Sequence, residues 1–593
     1  MAGRGMACRW IINKTNPDYI AYIARIASVS PLLAQVLCNR GLKTPAQIDA
    51  FLNPDIGKFA DPFALPQLKA ATERIRIAKK NNERVLVHGD YDADGVTATA
   101  IMVEGLREYG LEVHFFIPDR MLHGYGFGAA GIERAEALGT KLIVTVDCGI
   151  SSFDAAAAAR ARGIDVIITD HHEPVRKVNK GHGDTGNRGI GANEDEGTMY
   201  PEFLLPEAVA VINPKAAACP REMAHLSGAG VALKFIQGLF DNDIDTVYKL
   251  FDLAAIGTAA DVVPVQDDNR IIIREGVKLL QSGQRIGLKA LCGAAGIRTN
   301  SVKTSFLNYT LIPRINAAGR IANATDVVRL LTTTSEVEAG QLAGWMNGLN
   351  TRRQEIEESV YNEALKMVDS MDAGEGALVI ASEGWHIGVV GIVASKIAEK
   401  YYRPAIVLSI DGGSAKGSGR SIPAFDLYEG LTQCKDVLTR YGGHKQAAGL
   451  SLKADHLDQF RTLFCRKVRE SLSEEDFLPV LLIDSAVRIT DMSIVLIDEL
   501  ARLEPFGYSN DEPVFGSRGL EVVQPRIVGN NHLKMRLRQS GRKIDSIGFN
   551  FGAMLGEVEK SGMIDAAFVP TINEWDGGRF LQLNLKAIRP AGK

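Results

Sequence analysis

Between residues 84 and 275, five short β-branched runs alternate with helical patterns: RVLVH (84–88), VHFFI (113–117), KLIVTV (141–146), DVIIT (165–169) and AVAVI (208–212). Segments such as GVTATAIMVEGLREYG and SFDAAAAARARG lie between them. Strands joined through helices at this spacing predict an α/β fold on a doubly wound, mainly parallel sheet. In such sheets ligands bind beyond the carboxyl ends of the strands, so the residues after each run are the place to look for chemistry.

The first run leads into HGDYDADG, which sets His88, Asp90, Asp92 and Asp94 within seven residues of one another, ahead of a helix. Asp147 ends the third run, Asp170-His171-His172 ends the fourth, and Asp261 stands in LAAIGTAADVVP. Carboxylates so close raise one another's pKa, and a cation relieves the repulsion. Mixed imidazole and carboxylate donors suit Mn²⁺ better than Mg²⁺ or Ca²⁺, which prefer oxygen. There are more donors than one ion needs. The pattern therefore predicts two divalent ions, manganese first and magnesium as the alternative, sharing a carboxylate. Two ions roughly 3.5–4 Å apart suit in-line displacement at phosphorus. Singly, these residues have plainer readings: an aspartate at a strand end is usually an N-cap or turn residue, as Asp90 reads, and Cys148 reads as packing. The whole set together does not.

At 593 residues the chain exceeds a single core. Its pattern divides into a lead segment (1–65), the domain carrying these motifs (66–334), a connector helix (335–372), a second α/β domain (373–474) and a C-terminal domain (475–593). The connector is predicted from helical apolar spacing between Ser335 and Met371, with a break near Gly348. ALVIAS (377–382) and PAIVLSI (404–410) read as strands of the second domain, which also holds the glycine-rich KGSGRS (416–421) and YGGH (441–444). In HLKMRLRQ (532–539) Leu533, Met535 and Leu537 alternate with Lys534, Arg536 and Arg538; FLQLNLKAI (580–588) behaves similarly, and a small β-barrel follows. KGHGDTGNRGIGANEDEG (180–197) reads as a surface loop.

A net charge of -4 rules out a chain coated in positive charge but leaves room for a local basic groove. Seven scattered cysteines without a CxxC pair predict neither a zinc site nor a disulfide framework. The amino-terminal segment lacks a signal peptide's apolar core, and no run approaches the roughly 18 apolar residues of a membrane span. A cytoplasmic protein without membrane contact is expected.

HGDYDADG, VDCG, TDHH and GTAADVVP resemble the four motifs of the DHH phosphoesterase superfamily. PRINAAGR (313–320), WHIGVVGIVASK (385–396), GSGRS (417–421), YGGHKQAAG (441–449) and LEPFGYSNDEPVF (503–515) extend the resemblance over nearly the whole chain, to the RecJ family of single-strand-specific 5′→3′ exonucleases. GYSNDEP stands where that family runs G-x-G-N-x-x-P. The resemblance implies a second domain of the DHH-associated (DHHA1) type and an oligonucleotide-binding (OB-like) barrel. It implies metal ligands at His88, Asp92, Asp94, Asp147, His171 and Asp261, with Asp147 bridging and Asp252 the alternative to Asp261. It places His172 beside the substrate phosphate. Arg120, Ser418 and Arg420 match residues that hold a terminal 5′-phosphate; Arg314, Asn316 and Arg320 line the strand path. Gly442, Gly443 and His444 approach the scissile phosphate, and Lys534, Arg536 and Arg538 track the DNA backbone. The implied activity is two-metal hydrolysis of single-stranded DNA to 5′-mononucleotides, in repair and recombination. The alternative is a phosphodiesterase acting on short oligonucleotides, cyclic dinucleotides or pyrophosphate, for which a basic barrel would be superfluous. A monomer is expected, with a single-strand-binding protein and a helicase as partners.

Overall fold

The computed structural model describes residues 8–120, 122–176, 203–371, 376–575 and 577–592. The chain forms two compact units, one of Ala50–Thr351 with Pro505–Asp511, the other of Met1–Asp49, Arg352–Glu504 and Glu512–Lys593. Among the described residues, no single helix is long and apolar enough to cross a membrane.

In the first unit all five predicted runs are strands: β1 (Val85–His88), β2 (Val113–Phe116), β3 (Leu142–Val146), β4 (Asp165–Thr169) and β5 (Ala210–Ile212). They pair in the order β2-β1-β3-β4-β5, every neighbouring pair parallel. Every residue of β1 and β3 is buried, which is why their sequences are continuously apolar instead of alternating. One face packs Val87, Val144 and Ile167 against α1 (Ala93–Glu108), α2 (Gly228–Leu239) and α3 (Phe251–Ala260). The other packs Leu86, Ile143 and Ile168 against Phe127 and Ile132. The strand order reverses between β1 and β3, so their carboxyl ends open the crevice where such sheets bind ligands. A fourth helix, α4 (Ile312–Ile321), follows a π-helical turn. The predicted loop at 180–197 lies outside the described residues.

The connector is α5 (Glu336–Asp369), 34 residues without the break expected near Gly348. Glycine costs a helix interior about 1 kcal/mol, too little to interrupt a helix anchored by packing on both sides of it. Ala343 and Met346 are buried in one core, and Val360, Ala364 and Val368 in another.

The second unit contains β6 (Leu378–Glu383), α6 (Ile387–Tyr401), β7 (Ala405–Asp411), β8 (Ser414–Arg420), β9 (Arg440–Gly443) and β10 (Ala447–Lys453). The sheet order is β9-β10-β8-β7-β6, with only β6 and β7 parallel. The glycine-rich segments are thus strands held by ladder bonds. Arg9–Ile12 pairs in parallel with Val480–Ile483, tying the chain's start into this unit. At the carboxyl-terminal end β11 (Phe515–Val528), β12 (His532–Gln539), β13 (Arg542–Gly548), β14 (Met563–Trp575) and β15 (Gly578–Pro590) close a five-stranded barrel, β14 returning to β11. Leu533, Met535 and Leu537 fill its interior, as the alternation in β12 predicts.

Candidate metal centre

The first strand hands its end to a tight turn and then to α1, whose N-cap is Asp92, accepting the Gly95 N–H at 3.0 Å. Two residues on, Asp94 is buried against the start of α2, accepting the N–H groups of Gly228 at 2.7 Å and Ala229 at 2.9 Å. The positive end of a helix thus holds this carboxylate in place. Helix α3 comes so close that a Cβ on Gly257 would lie 2.5 Å from Asp94 Oδ1.

Asp147 follows β3 with φ +58°, a left-handed conformation costing a non-glycine residue roughly 1–3 kcal/mol. That turn aims its side chain at α2, where a Cβ on Gly228 would lie 2.6 Å from Asp147 Oδ1. His171 Nε2 stands 3.1 Å from Asp147, 3.4 Å from Asp261 and 3.8 Å from Asp94. Three sets of side chains offer donor atoms within 4.8 Å of one another: Asp94, His171 and Asp261; Asp147, His171 and His172; Asp90, Asp92 and Asp147. Asp147 belongs to two of them.

Asp90 Oδ1, Asp147 Oδ1 and His171 Nε2 are buried without a hydrogen-bond partner. A buried acceptor left unpaired costs about 1–3 kcal/mol, more when charged, so three such atoms in one place fit a cation. The electrostatics agree. Burial and the neighbouring Asp92 push Asp94 up to about 7, and burial with Asp94 pushes Asp261 up to about 8. Asp90 and Asp147 are raised well above the usual carboxylate range by burial and by their acidic neighbours. Burial pushes His171 down to about 3, leaving the neutral imidazole that metals take.

His172 is prepared differently. Burial disfavours its charge, but a 2.7 Å hydrogen bond from Nδ1 to Asp170 outweighs this and lifts it to about 9. Asp170 is itself fixed, accepting the N–H groups of His171 at 2.7 Å and Ile150 at 2.9 Å. It orients the imidazolium and belongs to none of the three donor sets. The Tyr125 hydroxyl lies 3.3 Å from His172 Nδ1.

The expected ligands divide. Asp92, Asp94, Asp147, His171 and Asp261 come together; His88 does not join the three sets, and its ring packs against Phe116, Phe127 and Gly131. Asp90, which reads from sequence as a turn residue, lies in a donor set instead. Its signal was the alternation of aspartates at 90, 92 and 94. Asp252 is engaged elsewhere, 2.7 Å from Arg285, which also pairs with Glu104.

The expected DNA-contacting residues are placed as follows. Arg120 stacks over Tyr91, its guanidinium carbon 5.3 Å from the ring centre. On α4, Asn316 accepts the Ala93 N–H at 2.8 Å and so caps α1, while Arg314 bonds Asn347 at 3.0 Å and Arg320 sits in the last turn. In the second unit Ser418 and Arg420 flank Gly391 of α6, where a Cβ would lie 3.3 Å from each. Gly442 and Gly443 end β9, and the His444 N–H bonds Ala447 O at 2.8 Å. On the barrel Arg536 pairs with Asp545 at 3.0 Å and Arg538 with Glu521 through two bonds. The basic face expected on β12 is therefore largely neutralised by β11 and β13, which the pattern of one strand does not show. No acidic partner is seen for Lys534 among the described residues.

A parallel sheet that gathers aspartates and histidines for a divalent cation at its switch point defines a phosphoesterase of the DHH type. The DHH family N-terminal domain matches residues 84–183, the DHHA1 domain 374–470 and the RecJ OB domain 483–587. The RecJ single-stranded-DNA-specific exonuclease of Bacillus subtilis strain 168 is 37% identical over 582 residues, 98% of this chain and 70% of the relative. That of Escherichia coli K12 is 34% identical, over 95% and 96%. The crystal structure of Thermus thermophilus RecJ with Mn²⁺ superposes with a TM-score of 0.80 at 28% identity, covering 98% of this chain and 79% of that one. A Mg²⁺ complex of the same protein gives 0.73 at 26%, covering 98% and 78%. The chain belongs to the RecJ family, and its centre is a divalent-metal site.

Proposed function

We propose that the protein is a metal-dependent, single-stranded-DNA-specific exonuclease that works from the 5′ end and releases 5′-mononucleotides, in DNA repair and recombination. The observation that carries the two-ion form is Asp147, which belongs both to the set with Asp90 and Asp92 and to a set with His171. Manganese is the ion these mixed donors favour, with magnesium the alternative. Bound divalent ions supply the positive charge that offsets the carboxylates, acidify water and stabilise charge on the phosphoryl oxygens.

The chain's own groups do the rest. Asp94, fixed by two N–H groups of α2, and Asp147, fixed by its backbone turn, hold donor atoms in place before the substrate arrives. His172, kept protonated by Asp170, donates to a phosphate oxygen. Arg120, Ser418 and Arg420 take the terminal phosphate, a role suited to a guanidinium's bidentate fork. Arg314, Asn316, Arg320, Gly442, Gly443 and His444 guide the strand to the reaction, and the barrel binds it further along. These assignments rest on the motifs they stand in. The proposal extends to a monomer that works with a single-strand-binding protein and a helicase.

The test is a manganese-dependent digestion of 5′- and 3′-labelled single strands, duplexes and dinucleotides, with calorimetric counting of bound ions. Single strands shortened from the 5′ end with two ions bound support the reading. Preference for dinucleotides, or saturation at one ion, overturns it.

A further inference from the structure

We propose that the first unit carries a nucleobase subsite on the turn that bears Asp261. The proposal rests on the single-strand exonuclease activity above and adds that the enzyme grips a base of its substrate as well as the phosphates. A cavity of about 260 Å³ is lined by Ala260, Val262, Asn308, Ile312, Phe506 and Tyr508, among others. Ala260 and Val262 flank Asp261 in sequence, so the cavity adjoins the metal centre.

Three independent features mark it. Val262 has φ +55° and is 66% exposed, an outlier for a β-branched residue. Such strain persists only where the surroundings impose it, and it clusters at functional sites. Asn308 sits in the π-helical turn Leu307–Leu311, a distortion frequent at functional sites, and its buried Oδ1 has no hydrogen-bond partner. Tyr508 is 57% exposed although its backbone is clamped. Its carbonyl accepts the Val265 N–H at 2.9 Å, and Asn510 Nδ2 donates to Pro505 O at 2.7 Å within the same short segment. A rigid backbone presenting an exposed aromatic ring is a stacking platform.

Chemistry selects the occupant. The lining carries no cation, so a phosphate has no reason to enter. Pockets for drug-sized ligands run from about 300 to 1,000 Å³, so this one suits a group the size of a single base. A base brings flat faces for Phe506 and Tyr508 and a polar edge for the side of the cavity that Asn308 lines.

The test walks one abasic unit through the first eight positions of a 5′-phosphorylated single strand and measures KM and kcat with manganese. In the wild type, removing the base at one position raises KM roughly tenfold, the scale of one base–aromatic stack. Tyr508→Ala and Asn308→Leu raise KM on the intact strand and abolish that positional penalty, while Tyr508→Phe keeps it. Should Asn308→Leu fail to fold, the two Tyr508 variants, altered at an exposed ring, decide alone. A wild type without a positional penalty, or a penalty unchanged in Tyr508→Ala, overturns the subsite while leaving the exonuclease intact. A wild type that does not digest single strands overturns the activity itself.

Discussion

Replacing Gly228 by alanine adds one methyl group to a residue outside the three donor sets, yet it should disable the metal centre. The new Cβ would lie 2.6 Å from both Cβ and Oδ1 of Asp147, where 3.4–4 Å is ordinary contact. About 1 Å of movement is needed, and α2 cannot supply it. Every residue from Gly228 to Leu239 is buried, and the helix's first N–H groups hold Asp94. Asp147 must move instead. Alanine favours a helix by up to about 1 kcal/mol over glycine, but overpacking a dense interior costs about 1–3 kcal/mol. The fold should lose at most about 3 kcal/mol. The centre should lose far more, since about 1 Å of misplacement can cost on the order of 100-fold in rate. Calorimetric titration with Mn²⁺, thermal melts and single-strand digestion would be read on the same protein. Metal affinity and rate both within about threefold of wild type would refute the packing argument.

Three further outcomes follow from the same geometry. Asp252→Asn should cost about 3 kcal/mol in urea melts, because Arg285 is left largely buried with Glu104 as its remaining carboxylate partner, and should leave Mn²⁺ affinity unchanged; Asp261→Asn should do the reverse, and the opposite order would move the ligand to Asp252. Asp94 near 7 and Asp261 near 8 hold protons that their unfolded forms release near 4, and His172 near 9 holds one released near 6.5; as pH rises from 6.5 to 8 stability is therefore lost through Asp261 and His172, and through Asp94 until about 7, while His88 and His171, depressed to about 4 and 3, return only a smaller part as their unfolded forms lose protons near 6.5. The metal-free melting temperature should fall over that window and the increment from Mn²⁺ should grow; a constant increment would contradict it. On the barrel, Lys534→Gln should reduce the salt slope of single-strand affinity by about one unit, and Arg538→Gln, already paired with Glu521, should change it little; equal effects would place the strand across the paired face.

How far the sequence revealed this arrangement depends on which physical constraint set each part. The parallel strands were legible because burial on both faces forces continuous apolar runs, and Val85–His88 and Leu142–Val146 are short, rich in β-branched residues and set between helical patterns. Ser414–Arg420 and Arg440–Gly443 were not legible as strands, since glycines carry little strand preference and it is Ala447–Lys453 between them that holds both by pairing. Gly348 suggested a helix break that packing overrides.

Within the centre the division is finer, and it comes down to strand parity. Side chains alternate along β1, so His88 falls on the same face as Leu86, where Phe127 packs against both, and is drawn into that core. Asp90, beyond the strand's end, is free of the alternation and turns into the donor set. The same parity would send Asp147 to the face of Ile143, away from α2. Its left-handed φ of +58° reverses this and delivers the carboxylate to Gly228, beside the helix that packs with Val144 and Val146. No spacing rule encodes that reversal; it is one backbone angle, held by the close approach of a glycine contributed 81 residues later, 228 less 147. Asp147 was therefore readable from the motif it stands in and not from strand parity, whereas His88, which parity alone places, lies against Phe127 and outside the donor sets.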